Sequence, residues 1–522
     1  MWSRMTSLTR FLIVLVVVGL AGFGIYKSGV LKSSTKGTTA KNVTSSPKKS
    51  GGLTNLFKGN GGGENLTVIV NTWGGFATLA HLNGGSLKPN PESIITKEYG
   101  INLTIKICDV FDDSRSTFKS GNGDIVYCTY DALPVEMGAN SAMVTYNAQG
   151  FLQVDWSRGG DLIVVRKGIN SVADLKGKTI SVAEGTASNT FLIKTLESNG
   201  LQMSDVNVKP VSDGIESAKL FKAGTVDAAV IWTPDDGDCL KAIQGSKVLV
   251  STSAAKFIIA DGLLATKETI EQKHDLLVKF STAWLTMNGE INTNPSVKAE
   301  AAADFAKAFG VDLEFAQNGI DKVRLTTLGD NQNFFGLNPT YIGVTGEQLY
   351  SKMSIKYSDV KLSSHPLAWR SVSNTSIVEG ITISGSAQEA ESATTFTAPT
   401  AVEKTKAAVS SKKVSINFTT GSSILSDEAK SIIDREFAGL AKDFAGFRIR
   451  IEGNTDAVGN QSMNMTLSFK RAQAVADYLV AEYKFDLNRF IVQGNGSKEA
   501  ITAGVMSANE NYRRTDFQFV EQ

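Results

Sequence analysis

The sequence predicts an α/β protein followed by a smaller α+β unit, on three observations. Short Val- and Ile-rich runs alternate with helical stretches from residue 65 onward, with little in–out alternation, the pattern of parallel strands buried on both faces. Two low-complexity tracts rich in Ser and Thr interrupt the chain. Beyond the second tract, a short alternating strand and two long amphipathic stretches begin a separate strand–helix succession.

Composition narrows the function classes. The chain has 522 residues, enough for two or three domains, and 42% are hydrophobic, as expected for sizeable cores. Lys and Arg number 53 against 52 Asp and Glu, so there is no electrostatic footprint for nucleic acid. Cys108, Cys128 and Cys239 form no CxxC, which removes zinc and redox motifs. Cys108 and Cys128 lie in or beside predicted strands, either as buried thiols or as a bridge in an oxidising compartment. His81, His274 and His365 are far apart, and no Ser/His/Asp or HExxH pattern links them, so the chain reads as a non-enzyme without a cofactor or metal.

Taken in order, the first element is residues 1–27. Phe11–Tyr26 is uncharged and mostly apolar, and as a helix spans about 24 Å at ~1.5 Å per residue, enough to cross a bilayer with flanking residues snorkelling. Arg4 and Arg10 precede it, which places the N-terminus in the cytoplasm and everything after Lys27 outside. A cleaved signal peptide is the rival reading, but no clear A-x-A site follows and no cysteine is available for a lipoprotein. Residues 28–64 form a Ser/Thr/Lys/Gly-rich linker, and as a coil would average roughly 30–35 Å end to end. Residues 65–372 form the first globular region, with strands expected at Leu66–Val70, Leu103–Ile107, Ile125–Thr129, Leu162–Arg166, Thr179–Ala183, Val226–Trp232 and Phe257–Ala260. Helices such as Ser188–Asn199 and Ile215–Ala223 lie between them as crossovers. Residues 373–411 form a second flexible linker. Residues 412–522 form the last domain, with strands at Val414–Phe418, Arg448–Glu452, Arg489–Gln493 and Thr515–Val520 and helices at Leu425–Phe444 and Met463–Glu482.

Within the last domain, Ile451-Glu452-Gly453-Asn454-Thr455-Asp456 runs from a strand into a loop ending in an acid, and Asn464, Ser468 and Arg471 follow at i, i+4 and i+7 on one helical face. A carboxylate and a guanidinium side by side suit a ligand with an ammonium and a carboxylate. This pattern resembles the OmpA-like peptidoglycan-binding domain over essentially all of 412–522. The resemblance implies that Asp456 meets the ammonium of diaminopimelate and Arg471 its carboxylate, with Asn464 and the backbone near Thr455 assisting and Arg513 and Arg514 matching the family's terminal step. Tyr512, Asn509, Ala500 and Asn454 depart from the family pattern at the pocket's rim.

In the middle region the order of segments is specific. Trp73-Gly74-Gly75-Phe76, Thr129-Tyr130-Asp131, the turn Ser171-Val172-Ala173-Asp174-Leu175-Lys176-Gly177-Lys178, Glu184–Ser188, Gly224–Ala229 and Ile231–Pro234 follow one another. Together they resemble the periplasmic substrate-binding proteins of the nitrate/sulfonate/taurine ABC-transporter type, with a class II solute-binding fold. The resemblance implies two lobes, residues near 65–155 and 257–372 against 160–250, hinged around Asp155–Asp161 and Val248–Ile258, with ligand between them. Ligand-facing positions carry over as Trp73, Gly74, Phe76, Thr129, Asp131, Thr186, Ser188, Asn189 and Trp232. Asp131, Asp161, Asp235 and Asp261 also lie near strand ends, where a carboxylate favours an amine-bearing or zwitterionic ligand, or else serves as a helix cap or hinge hydrogen-bonder.

The expectation is therefore a two-lobed class II periplasmic-binding fold plus a small α+β OmpA-like domain, anchored by an N-terminal transmembrane helix in the inner membrane with its bulk in the periplasm. Its partners would be peptidoglycan through diaminopimelate, a small polar or zwitterionic solute, and an ABC permease or another inner-membrane complex. The alternative is a mechanical tether or stator-like component in which the solute-binding fold is a spacer or protein-interaction module. No Asp or Glu lies within Phe11–Tyr26, which argues against a proton path of its own.

Overall fold

Three sheets organise the chain, and the direction of each strand follows from how the chain passes between them. The structure is a computed structural model that describes residues 63–138, 141–233, 235–416, 418–419 and 421–522, all within one unit, Gly59–Gln522. Phe11–Tyr26 and nearly all of the first tract lie outside the described residues. Among the described residues no helix is long and apolar enough to cross a membrane.

The first sheet has the order β11 (Val323–Leu325), β4 (Ala148–Ser157), β10 (Ala260–Thr266), β3 (Ile125–Thr129), β1 (Glu64–Val70) and β2 (Ile101–Ile107). β1 is parallel to β2 and β3, but β10 is antiparallel to β3 and β4. The second sheet has the order β7 (Asn207–Val211), β6 (Thr179–Ala183), β8 (Ala228–Trp232), β5 (Asp161–Val165) and β9 (Lys247–Ser251). Here β6 is parallel to β7 and β8, while β5 is antiparallel to β8 and β9. Both sheets are thus mixed, against the expected parallel arrangement. The cause is topological: strands joined by crossover helices run one way, and the strand that returns from the other lobe enters against them. The expected strand Phe257–Ala260 is displaced to β10, because residues 252–258 are used to cross between the lobes.

Those crossings are cross-linked. The Ser157 hydroxyl donates to Asp161 at 2.7 Å and lies 2.8 Å from the Thr252 hydroxyl. The Thr252 hydroxyl accepts from the Gly159 N–H at 2.8 Å, and the Thr252 N–H donates to the Asp161 carbonyl at 3.0 Å. Ser157, Asp161 and Thr252 are all buried. Buried polar groups need such partners, and here they tie the outgoing segment to the returning one.

The third sheet has the order β12 (Ser410–Val414), β15 (Thr515–Val520), β13 (Arg448–Asn454) and β14 (Phe490–Gly496). The first strand ends where it was expected to begin, although Val414 and Ile416 are buried as their alternation implied. The helix expected over 425–444 is instead Asp427–Ile433, a π turn at Asp434–Ala438 and Gly439–Asp443.

Helix α1 (Ala187–Glu197) of the second lobe lies between its neighbours. The second lobe and the C-terminal domain share one hydrophobic cluster, which includes Val172, Leu175, Ala255 and Ile258 on one side and Ala441, Phe444, Phe447 and Phe519 on the other. Backbone bonds stitch the two: Val172 N–H to the Val409 carbonyl (2.8 Å), Phe257 N–H to Asp443 (3.1 Å) and Gly446 N–H to Ala254 (2.8 Å). A Cβ at Gly446 would lie 2.6 Å from the Ala254 Cα, so that approach requires glycine. At the centre, Lys194 of α1 meets Asp443 at 2.7 Å, with side chains only 5% and 3% exposed. Glu197 joins Lys194 at 3.0 Å and Lys356 of α2 (Gly346–Asp359), in the first lobe, at 3.0 Å.

Residues 373–411, where the composition suggests a linker, carry short helices at Ser376–Glu379 and Ala401–Thr405 and the start of β12. They bury Ile377, Val378, Ile381 and Phe396. Gln388 donates to the Leu285 carbonyl at 2.9 Å and Glu391 pairs with Arg158 at 2.7 Å, while Glu403 pairs with the buried Arg448 at 2.7 Å.

Removing one member of a buried pair leaves the other charged and desolvated, at a cost of roughly 3–5 kcal/mol, whereas replacing both by apolar groups is near neutral. Lys194→Met should therefore lower the urea midpoint strongly, and Lys194→Met with Asp443→Leu should recover most of it. A double variant no more stable than the single would refute this account of the junction.

Candidate functional site

A cavity of about 250 Å³ opens between the two sheets. The chain reaches it where strands end. Asn71–Trp73 follow β1, Thr129 closes β3, Gly185–Ser188 lead from β6 into α1, and Trp232 closes β8. Asp161 and Asp261 enter from the starts of β5 and β10. This is the position at which open α/β sheets bind ligands.

Of the expected solute-site residues, the structure brings Trp73, Thr129, Thr186, Ser188, Trp232 and Asp261 together around this cavity. It does not bring Gly74, Phe76, Asp131 or Asn189 to the lining. Gly74 is pressed on the backbone of Gly319, whose oxygen would lie 2.2 Å from an added Cβ. Phe76 is wholly buried and meets Tyr127 and Trp284 edge-on. Asp131 stands behind the wall and accepts from the Ala260 N–H at 3.2 Å. Asn189 accepts from the Gly185 N–H at 3.1 Å and so shapes the loop before α1. The Asp235 side chain lies outside the described residues. Asp109, Phe111, Tyr127, Glu136 and Asp213 also line the cavity and were not anticipated. Asp109 follows the end of β2, so the strand-end rule could have found it. Nothing in the local sequence marks Glu136, which reaches the site through its bidentate pair with buried Arg115 at 2.5 and 2.9 Å.

The charge of the cleft is one-sided. Among the described lining residues there is no Lys, Arg or His. Asp155 and Asp261 are register partners on β4 and β10 and hydrogen-bond to one another. Burial, together with repulsion between them, holds the pair well above the usual carboxylate range. Burial lifts Asp131 to about 7 against the Ala260 N–H bond, and lifts Asp161 to about 6 against the Ser157 bond. Trp73 donates its indole N–H to Asp155 at 3.4 Å and lies over Gly160, where a Cβ would sit 2.2 Å from its ring. Trp232 covers Gly214 in the same way. Ser188 is 1% exposed and its hydroxyl has no hydrogen-bond partner. No disulfide joins Cys108, Cys128 or Cys239, and the Cys239 thiol donates to the Ala218 carbonyl at 3.8 Å.

In the C-terminal domain, helix α3 (Gln461–Tyr483) presents Asn464, Ser468 and Arg471 toward the loop after β13. Asp456 is bound by Arg513 at 3.1 Å and accepts from the Val458 N–H at 3.3 Å. Arg471 donates instead to the carbonyls of Ser422 (3.0 Å) and Thr419 (3.4 Å), and stacks over Phe418 at 4.9 Å. Asp456 and Arg471 therefore do not hydrogen-bond each other, although each feels the other's charge. Burial and Arg513 press the Arg471 guanidinium below its usual value. Asn464 donates to the carbonyls of Asp456 and Val458 at 3.4 and 3.0 Å. The Thr455 N–H donates to Gly496 at 2.8 Å, and its buried hydroxyl has no partner. Arg514 is different: it is buried and held by Asp516, Glu499 and the Asn511 carbonyl, so it braces the sheet beside the pocket.

The cleft aspartates carry a stability signature. Their folded values lie above the unfolded 3.8, so folding takes up protons, and the stability they contribute is full below pH 3.8 and lost as pH rises through about 6–7. The ligand-free protein should lose roughly 5–10 °C of Tm between pH 5 and pH 8. Asp161→Asn together with Asp131→Asn should flatten that slope, and an unchanged slope in this variant would remove the cleft as its origin.

Comparison with known proteins agrees with both halves of this description. Residues 161–296 match the family described as NMT1/THI5 like, and residues 417–514 match the OmpA family. A protein of Brucella abortus named as a binding protein is 26% identical over 203 residues, 38% of this chain and 61% of its own length. One from Brachyspira hyodysenteriae, named as an ABC transporter periplasmic binding protein, is 25% identical over 32% of this chain and 53% of its own. One from Bacillus subtilis, named as an aliphatic sulfonates-binding protein, is 30% identical over 31% of this chain and 51% of its own. The chain thus spans less than two thirds of the length of these curated relatives. The crystal structure of the periplasmic aliphatic sulphonate binding protein of Escherichia coli aligns with 59% of this chain and 97% of its own at 17% identity, with a TM-score of 0.45. By family and by relatives, the chain joins an NMT1/THI5-like domain, akin to ABC-type periplasmic binding proteins, to an OmpA-family domain.

Proposed function

We propose that this is a non-catalytic envelope protein that captures a small polar solute between its two lobes and docks on peptidoglycan through its C-terminal domain. The observation that carries the reading is that Asp456 and Arg471 lie within each other's field yet are not bonded together. A carboxylate held by Arg513 and a guanidinium held by backbone carbonyls, apart from each other in one pocket, are matched by the ammonium and carboxylate of diaminopimelate. Asn464 and the Thr455 loop support the same ligand, and Arg513 sits on the acid at the pocket mouth, where an incoming ammonium would displace it. Asp456 and Arg471 are the binding pair in this reading, whereas Arg514 is a brace.

Solute capture rests on the inter-lobe cavity, on the cross-linked crossings behind it and on the binding-protein relatives. Trp73, Thr129, Thr186, Ser188, Trp232 and Asp261 are the contacts proposed for it. Phe11–Tyr26 would anchor the chain in the inner membrane with the N-terminus in the cytoplasm, placing both domains in the periplasm beside an ABC permease.

The test is co-sedimentation of the full chain with purified peptidoglycan. Loss of one charge-assisted bond is worth about 1.5–3 kcal/mol, so Asp456→Ala and Arg471→Ala should each weaken retention roughly 10- to 100-fold, and free diaminopimelate should compete. Wild-type protein that stays in the supernatant would reject wall binding. Equal retention of both variants would reject this pair as the contact.

A further inference from the structure

We infer that the inter-lobe cleft is built for a small organic cation, a solute bearing a protonated amine seated between Asp161 and Asp261 and flanked by the indoles of Trp73 and Trp232. This inference deepens the solute-capture reading and rests on it.

Four observations lead there. First, the described lining holds carboxylates and no Lys, Arg or His, so a simple anion such as a sulfonate would find no cationic side chain there, only the backbone N–H groups at the start of α1. Second, the nearby guanidiniums are already committed: Arg115 to Glu136 and Arg158 to Glu391, both as short ion pairs. Of the lining acids, Glu136 is neutralised by Arg115, and Asp213 caps the helix Gly214–Lys222 by accepting from the Glu216 N–H at 2.8 Å. Asp109 is engaged by Thr72 at the exposed edge. That leaves Asp161 and Asp261 facing the cavity, with Asp155 and Asp131 behind them; the Arg158 charge reaches Asp155 but is already paired with Glu391. Third, a polar atom at the same place awaits a partner: the Ser188 hydroxyl is 1% exposed, lines the cavity and is unbonded. Fourth, aromatic faces complete the wall, with Trp73 from the first lobe and Trp232 from the second, a setting that favours an ammonium through the ring quadrupole. Among the described residues no group of three His, Cys, Asp or Glu is placed to hold a metal ion, so the cation the cleft suits is organic.

Such a ligand would do two things that a neutral or anionic one would not. It would supply the charge the four aspartates lack, and it would displace the protons they hold when the cleft is empty. Because Asp161 also bonds Ser157 in the outgoing crossing, the ammonium would sit on the hinge itself.

The test uses the purified full chain and matched probes: butylamine, 1,4-diaminobutane and phenethylamine as cations, and butane-1-sulfonate and benzenesulfonate as anions. Titration calorimetry and Tm shifts are read at neutral pH. At least one amine should bind, with heat that depends on the buffer's ionisation enthalpy because protons are released, and neither sulfonate should bind. Asp261→Asn should weaken the amine at least 10-fold. Burial and the neighbouring acids already favour its uncharged form, so the isosteric substitution should change Tm little, which separates loss of binding from loss of fold. Asp161→Asn should also weaken the amine, with its Tm read alongside because Asp161 accepts from Ser157 in the outgoing crossing, and Ser188→Ala should weaken it less. Sulfonate binding without amine binding would overturn the cation inference and leave solute capture standing. Amine binding that survives Asp261→Asn and Asp161→Asn would place the cation elsewhere and overturn it too. If no probe of either class binds, both readings fall.

Discussion

The rest of the molecule depends on the two places where the chain crosses between its sheets. The outgoing crossing contains Ser157 and Asp161, the returning one Thr252, and their side chains bond one another in a buried knot. The knot fixes which strands are antiparallel, because β5 and β10 are the strands that leave it. It also fixes where the cleft lies, since Asp161 lines the cavity while its carboxylate holds Ser157. The same returning segment offers Ala254 and Phe257 to the C-terminal domain. One short stretch therefore joins sheet topology, the ligand cavity and domain docking, so a change at any of the three bears on the others.

The docking of the C-terminal domain is a consequence of that arrangement. A small domain standing alone buries little surface and is marginal. Here its aromatic layer, Phe437, Phe444, Phe447, Phe517 and Phe519, continues into the second lobe's core. Lys194 and Asp443 are tolerated at the centre of that interface because they pair with one another, and Lys194 also reaches Glu197. The Asp443 backbone carbonyl takes the Phe257 N–H. Glu197 then extends the network to Lys356 in the first lobe, so three parts of the chain meet in one chain of charges. The second lobe and the C-terminal domain form a single packed body, with the first lobe bonded to it through α2. Tyr357 of that helix bonds Thr190 (2.7 Å) and the Thr186 carbonyl (3.0 Å) at the cleft's back edge.

How much of this was legible in the sequence depended on whether the signal was local. Val- and Ile-rich β1, β2, β3, β6 and β8 announce themselves, because strands buried on both faces need little but apolar residues. β4 does not: Ala148–Ser157 contains Gln149, Gly150, Gln153 and Asp155, yet is almost wholly buried. What holds it is distant in sequence, as where the Gln153 backbone N–H donates to Asn331 at 2.8 Å, while the Gln153 side-chain amide is buried without a partner. The stretch 373–411 has the composition of a linker, and what orders it is remote: Arg158, Arg448 and Asp486 supply partners that its own residues do not reveal. The C-terminal pocket was readable because helical spacing brings Asn464, Ser468 and Arg471 to one face. That Arg513, and not Arg471, holds Asp456 was not readable, since it requires knowing where β15 begins. In the cleft, the family resemblance implied Trp73, Thr129 and Trp232, and a place near a strand end singled out Asp261; all four line the cavity. Neither signal could predict that Phe76 turns into the core, because a loop's direction is set by what packs beneath it, here Tyr127 and Trp284.

The two pockets differ in how they treat charge, and the difference follows from burial. In the C-terminal pocket the opposing charges are each given a substitute, Arg513 for the acid and backbone carbonyls for the guanidinium. Arg513 remains half-exposed, with 48% of its side chain open to solvent, so the pocket can exist empty without a buried bare charge. In the cleft the substitutes are neutral hydrogen bonds, the Ala260 N–H on Asp131, the Ser157 hydroxyl on Asp161 and the Trp73 indole on Asp155. Asp131, Asp155, Asp161 and Asp261 are all at most 7% exposed and face one another. A buried carboxylate without a counter-charge neutralises by taking a proton. The empty cleft is therefore held together by protons where the C-terminal pocket is held by an arginine. On the reading proposed above, a wall ligand would exchange one ion pair for another and should depend little on pH near neutrality. An amine in the cleft would compete with protons, so its affinity should rise as pH passes through the range in which Asp131 and Asp161 ionise.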